Sequence, residues 1–110
     1  MESQPDPSAN FKLQVLTPLG FTVRTSDKYW QILLEKHPDI AKFEDRLPTI
    51  LENPQCIYQS KNDKKVFLFY QLIKAQRWLT VVVKQLNGQG FIVTCYQTSA
   101  IKKGKLEWSQ

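Results

Sequence analysis

The chain of 110 residues is poor in the residues from which many sites are built: one histidine, two cysteines and four glycines. With His37 as the only imidazole, a multi-histidine metal site has no second ligand of that kind. Cys56 and Cys95 have neither metal-ligand spacing nor a disulfide-rich setting, so both read as plain reduced thiols, with Cys95 a small core residue in mid-strand. The glycines form no phosphate-cradling loop of the Walker or dinucleotide type, and no paired-cysteine zinc motif occurs. No run approaches the ~20 apolar residues of a membrane span. The opening MESQPDPSAN is acidic and proline-bearing, which is the pattern of neither a secretory signal nor a transit peptide. The expectation is a cytoplasmic protein without a membrane association.

What is present is positive charge. The formal net charge is +5 and the sequence pI about 9.3, which is compatible with a polyanionic partner without establishing one. The lysines concentrate in two places, Lys61, Lys64 and Lys65 in one polar stretch and Lys102, Lys103 and Lys105 in the tail. Each cluster also fits an ordinary solvated turn. The length fits one domain with one hydrophobic core.

Residues 1–10 are expected to be disordered, and a single α+β domain to occupy 11–108. Phe11–Leu16 and Phe21–Thr25 alternate apolar with polar residues around the turn Thr17-Pro18-Leu19-Gly20, which reads as a hairpin. Ser26 is placed to N-cap a helix whose stripe is Trp30, Leu33, Leu34 and His37. Pro38 disfavours helical geometry at His37 and suits the start of a second helix, so the histidine falls at a junction. Ile40, Phe43, Leu47, Ile50 and Leu51 continue the apolar stripe, with Pro48 either kinking that helix or opening a separate turn. From Cys56 the period becomes two: a strand over Cys56–Ser60, a turn at Lys61–Lys65, a strand over Lys65–Ile73, then a turn at Lys74-Ala75-Gln76. The tail after Ser99 reads as a break ending in an exposed Trp108.

The stretch Arg77–Thr98 is expected to be the central hairpin, turning within Asn87-Gly88-Gln89-Gly90. Any regular two-residue loop there pairs odd with even positions. One face then carries Leu79, Val81, Val83, Ile92, Thr94, Tyr96 and Thr98, and the other Trp78, Thr80, Val82, Lys84, Phe91, Val93, Cys95 and Gln97. Lys84 is thereby separated from the hydroxyl row Thr94, Tyr96 and Thr98 unless the sheet is strongly twisted or bulged. The whole predicts an α+β layout, a hairpin and helices packed on an antiparallel sheet of four or more strands.

These residue types leave metal-independent acid/base chemistry open, in which a histidine moves a proton while hydroxyls and cations hold a charged transition state. RNA cleavage by its own 2′-hydroxyl is such a reaction. His37 read by itself fits a junction histidine at least as well, Thr and Tyr favour strands in any case, and Phe67, Phe69, Tyr70 and Phe91 at alternate strand positions fit a core.

The run HPD at 37–39 after a Trp-bearing helix, ENP at 52–54, FLFYQ at 67–71, LTVVVK at 79–84, GFIVTCYQT at 90–98 and IKKGKLEW at 101–108 resembles the phage-type branch of the barnase, EndoU, colicin and RelE (BECR) nuclease superfamily. The resemblance spans Leu13–Trp108. It implies N-terminal helices followed by a four-stranded antiparallel sheet, and a metal-independent endoribonuclease of toxin or phage-conflict type that uses no cofactor and is met by an antitoxin protein. The other outcome it allows is a weakened module of the same fold that binds RNA or a protein. Matched by position, it assigns catalysis to His37, Tyr70, Thr94, Tyr96 and Lys102, with phosphate binding by Lys102 and by Lys65 or Arg77. Gln71 stands where family members often carry arginine, and Cys95 where they carry alanine; Lys64, Lys65 or Arg77 are the cations available in place of that arginine.

Overall fold

The computed structural model describes residues 11–102 and 104–110; the N-terminal decapeptide and Lys103 lie outside the described residues. Strands β1 (Phe11–Leu16) and β2 (Thr22–Ser26) form the first hairpin, closed by Thr17, whose amide and hydroxyl both donate to the Phe21 carbonyl. Helix α1 (Asp27–Lys36) starts where expected, with the Ser26 hydroxyl accepting from the Tyr29 amide at 3.1 Å. Pro38 then opens a 3₁₀ helix, Pro38–Arg46, and Pro48 sits in the first turn of a separate α2 (Leu47–Glu52). Of the two roles open to Pro48, the structure takes the second.

The strands β3 (Cys56–Gln59), β4 (Val66–Lys74), β5 (Arg77–Leu86) and β6 (Gln89–Thr98) form the expected antiparallel meander. The sheet is larger than four strands and mixed, in the order β1-β2-β6-β5-β4-β3-β7, with β5 at its centre. Two joins account for the difference. At one edge β2 adds parallel to β6, through Thr22–Gln89, Val23–Gly90 and Arg24–Phe91. Gly90 permits this approach, because a Cβ there would stand 2.8 Å from side-chain atoms of both Phe21 and Val23. At the other edge the tail is a strand, β7 (Lys105–Ser109), paired antiparallel with β3. Trp108 is accordingly half-buried against the core rather than exposed.

Both helices and the 3₁₀ segment cover one face of the sheet. Trp30, Leu33, Ile40, Leu47, Ile50 and Leu51 pack there on Val23, Ile57, Phe69, Val81, Val83 and Cys95. Trp30 fixes the layer sideways: its indole donates to Glu44 at 2.7 Å, and Lys12 from β1 pairs with the same carboxylate at 2.5 Å. That contact holds the Glu44 carboxyl below the usual range. Cys56 and Cys95 are free, as expected, and burial pushes the Cys95 thiol up to about 12, which leaves it an inert core group. Among the described residues no helix is long and apolar enough to cross a membrane.

The turn of the central hairpin is Asn87-Gly88, both with positive φ, and it pairs Leu86 with Gln89. The odd-with-even pairing lasts only as far as Val83–Ile92. The next pair is Val82–Thr94, so Val93 is a bulge. Beyond it the expected faces of β6 are exchanged. Thr94, Tyr96 and Thr98 stand with Val82, Thr80 and Trp78 on the outer face, away from the helices, while Cys95 and Gln97 face inward with Val81 and Leu79. Lys84, opposite Phe91, shares the outer face with the hydroxyl row.

Gly90→Ala is expected to cost roughly 1–3 kcal/mol by overpacking against Phe21 and Val23, lowering Tm by somewhere between about 4 and 15 °C for a domain of this size. A thermal melt followed by circular dichroism checks this, and an unchanged Tm would contradict the close docking of β2 on β6.

Candidate functional site on the outer sheet face

The outer face is ordered in rows across the strands. Cys56, Tyr70, Thr80 and Tyr96 form one row, and Tyr58, Leu68, Val82 and Thr94 the next. No helix covers these side chains, yet Tyr70 and Thr80 are fully buried. What hides them is the connection from β6 to β7. Because β7 adds beyond β3, the connection must cross β5, β4 and β3, and its described residues, 99–102 and 104, lie over the outer face. Thr98 starts the crossing with a tight turn, its hydroxyl bonded to both the carbonyl and the amide of Ala100. Midway the Lys102 amide donates to the Tyr70 hydroxyl at 2.9 Å. At its end Gly104 lies so close to the Gln59 carbonyl that any Cβ would overlap it.

Between this strap and the β3–β4 loop runs a groove of about 510 Å³. Its floor is apolar, made by Val66, Leu68 and Val82. Thr94, Tyr96 and Lys102 line it with hydroxyls and a cation, and Ser60, Lys61 and Asn62 form the facing wall. The loop that carries them is held by the Asp63 carboxylate, which accepts from the Lys65 amide at 2.9 Å and pairs with Lys84 at 3.3 Å. Burial raises the Tyr96 phenol above its ordinary range. Tyr70 is pushed up to about 12, mainly by burial, with the opposing bond from Lys102 smaller and the neighbouring Tyr96 adding to the rise. Both phenols are therefore protonated donors at neutral pH. Tyr70 packs edge-on between Tyr58 and Trp78, at 6.1 and 6.3 Å between ring centroids, so its position is fixed by its neighbours.

Of the residues singled out in the sequence, the structure brings together Tyr70, Thr94, Tyr96 and Lys102. It does not bring His37 to them. The histidine ends α1, its amide donating to the Leu33 carbonyl at 2.8 Å, and lies half-buried in the helical layer on the other side of the sheet. Gln71 also faces that side, opposite Leu79, and its Oε1 is buried without a partner. An arginine in its place would therefore start from the helix-covered face. Arg77 opens β5 opposite Lys74, the full length of β4 away from Lys65. Lys65 is exposed beside the groove but does not line it; Lys61, from the same cluster, does. Lys61 and Asn62 belong to the stretch that reads as a polar turn, and Ser60 to the end of the strand expected before it. Among the described residues no three His, Cys, Asp or Glu side chains gather as a metal site. Comparisons with protein-family models, with curated proteins and with solved structures return no match.

The phenol shift has a consequence for stability. Unfolded, Tyr70 loses its proton near 10, whereas the fold retains it to about 12. Between those values the folded state holds the extra proton, so the contribution is complete below pH 10 and is lost as pH rises toward 12. Urea unfolding at pH 9 and pH 11 is expected to show a steeper loss of stability in the parent than in Tyr70→Phe; equal slopes would contradict the buried phenol.

Proposed function

We propose that the outer-face groove binds single-stranded RNA and that the protein is a metal-independent endoribonuclease of the BECR type, acting in the cytoplasm. The observation that supports this most is the meeting of Thr94 and Tyr96 of β6 with Lys102 of the strap in one groove, with Tyr70 of β4 bonded directly behind Lys102. The antiparallel run β3–β6, following the helices, supports the kinship in fold.

The chemistry asks little of the protein. The 2′-hydroxyl of the substrate gives its proton to solvent water and attacks the adjacent phosphorus, the bond from phosphorus to the 5′-oxygen of the next nucleotide breaks and that oxygen takes up a proton, and a 2′,3′-cyclic phosphate remains. The phosphorane gathers negative charge, which Lys61 and Lys102 neutralise and the Tyr96 and Thr94 hydroxyls meet with hydrogen bonds. Leu68 and Val82 offer the base an apolar floor. A protonated Tyr96 suits donation to a phosphate or leaving oxygen better than abstraction of a proton. His37 is left out of this scheme because it stands in the helical layer. That same placement favours a second reading, RNA binding without cleavage, since the groove holds no imidazole. A protein inhibitor of antitoxin type would act by covering the groove.

Incubation with end-labelled single-stranded RNA in EDTA is expected to give products with 2′,3′-cyclic phosphate ends. Tyr96→Phe and Lys102→Ala should each lower the rate by about a hundredfold, the usual loss for one transition-state donor, while His37→Gln stays within a few-fold of the parent. Affinity should fall with salt, and Lys102→Ala should flatten the slope by about 0.7, one single-strand phosphate contact. Binding without cleavage by the parent would leave the second reading, and no binding at all would remove both.

A further inference from the structure

A second cavity opens on the same face, at the other side of the Lys84–Asp63 ion pair. Strand β2 pairs with β6 over three residues only, then turns away into α1. Among the described residues no strand lies beside β6 on that side from Ile92 onward, and a notch of about 480 Å³ is found where the two separate. Tyr29, in the first turn of α1, closes its far end by donating its hydroxyl to the carbonyl of the bulged Val93 at 2.7 Å. The near wall is Phe91, with the Arg24 guanidinium 5.1 Å from its ring centre. Lys84 and Leu86 complete the rim.

Three features mark this notch as more than a gap left by diverging strands. Its size is that of a pocket for a small organic group. Its apolar walls include Leu86 and Val93, large side chains about 40 % exposed. Thr25, only 6 % exposed, is among its lining residues, and the Thr25 hydroxyl is buried without a hydrogen-bond partner. A flat aromatic wall and two cations at the rim match two parts of a nucleotide, its base and its phosphate.

The notch is also in line with the groove. Val82 and Thr94 both line the groove, and the next row on the same face is Lys84 and Phe91. Successive same-face residues on a strand are about 7 Å apart, a step one nucleotide of an extended strand can span. We infer that the notch is a second nucleotide-binding pocket, which takes the base of a nucleotide two positions along from the one held at Lys102, beyond the reach of a dinucleotide, and so sets the direction of the RNA across the sheet. This rests on the reading of the groove as an RNA site, but the pocket can be tested by itself.

Two measurements on the full chain separate the questions. Titration of ¹⁵N-labelled protein with adenosine monophosphate should shift the amide signals of Thr25, Phe91 and Val93. In fluorescence anisotropy with oligoadenylates of two to six nucleotides, affinity should rise by roughly tenfold or more once the strand reaches the notch, the usual gain from stacking one base. Phe91→Ala should abolish that rise while leaving dinucleotide affinity unchanged. Leu86→Glu, at an exposed position where folding is not at stake, should do the same by repelling phosphate. An identical length dependence in parent and both variants would overturn the pocket, as would notch signals that respond to an acidic peptide and not to the nucleotide. Length-dependent binding lost in both variants, in a parent that never cleaves RNA, would support the pocket and remove only the nuclease reading.

Discussion

A strand presents its side chains to alternate faces, so one residue added to one partner reverses everything beyond it. In this protein that residue is Val93. Its insertion sends Cys95 into the helix-covered core opposite Val81 and lifts Thr94 and Tyr96 out of it. Without it, two hydroxyls would sit under the helices and a thiol would face the groove. The bulge also splays β6 where β2 leaves it, and the Tyr29 bond to the Val93 carbonyl fixes that opening. Groove and notch thus have one structural origin.

Much of the fold was legible from period and punctuation. Ser26, Pro38, Pro48, Asn87 and Gly88 act locally, and each does what its chemistry predicts. The bulge was not legible, because Phe91 to Thr98 is apolar or β-prone at nearly every position and supports either face assignment equally. The parallel joining of β2 to β6 was hidden for another reason. Gly90 reads as part of a turn, whereas its missing side chain serves to admit Phe21 and Val23 from the far end of the chain. The tail misled through its lysines and glycine, since β7 owes its strand state to the free edge of β3 and not to its own pattern.

The candidate site was legible in its members more than in its shape. Tyr70, Thr94, Tyr96 and Lys102 converge, but what unites them is the strap, whose path follows from topology: a chain leaving β6 can reach the far side of β3 only by crossing the sheet. Burial of Tyr70 under that crossing both fixes the Lys102 backbone and removes the phenol from titration at neutral pH. His37, placed correctly at a helix junction, belongs to a layer that the sheet separates from the groove. A sequence reports which residues are present and how far apart they are, while the side of the sheet each occupies depends on a bulge.

The order of strands also bears on how the molecule assembles. The hairpins β1–β2, β4–β5 and β5–β6 and the β3–β4 pair join neighbours in sequence and can form early, because little loop entropy opposes them. The pairings of β2 with β6 and of β3 with β7 join segments separated by about half the chain or more. These late contacts are the ones that bound the groove and the notch. An intermediate holding only the central meander would have its helices' core face half formed and neither cavity enclosed, so the capacity to engage a ligand arrives with the last steps of folding rather than with the bulk of the sheet.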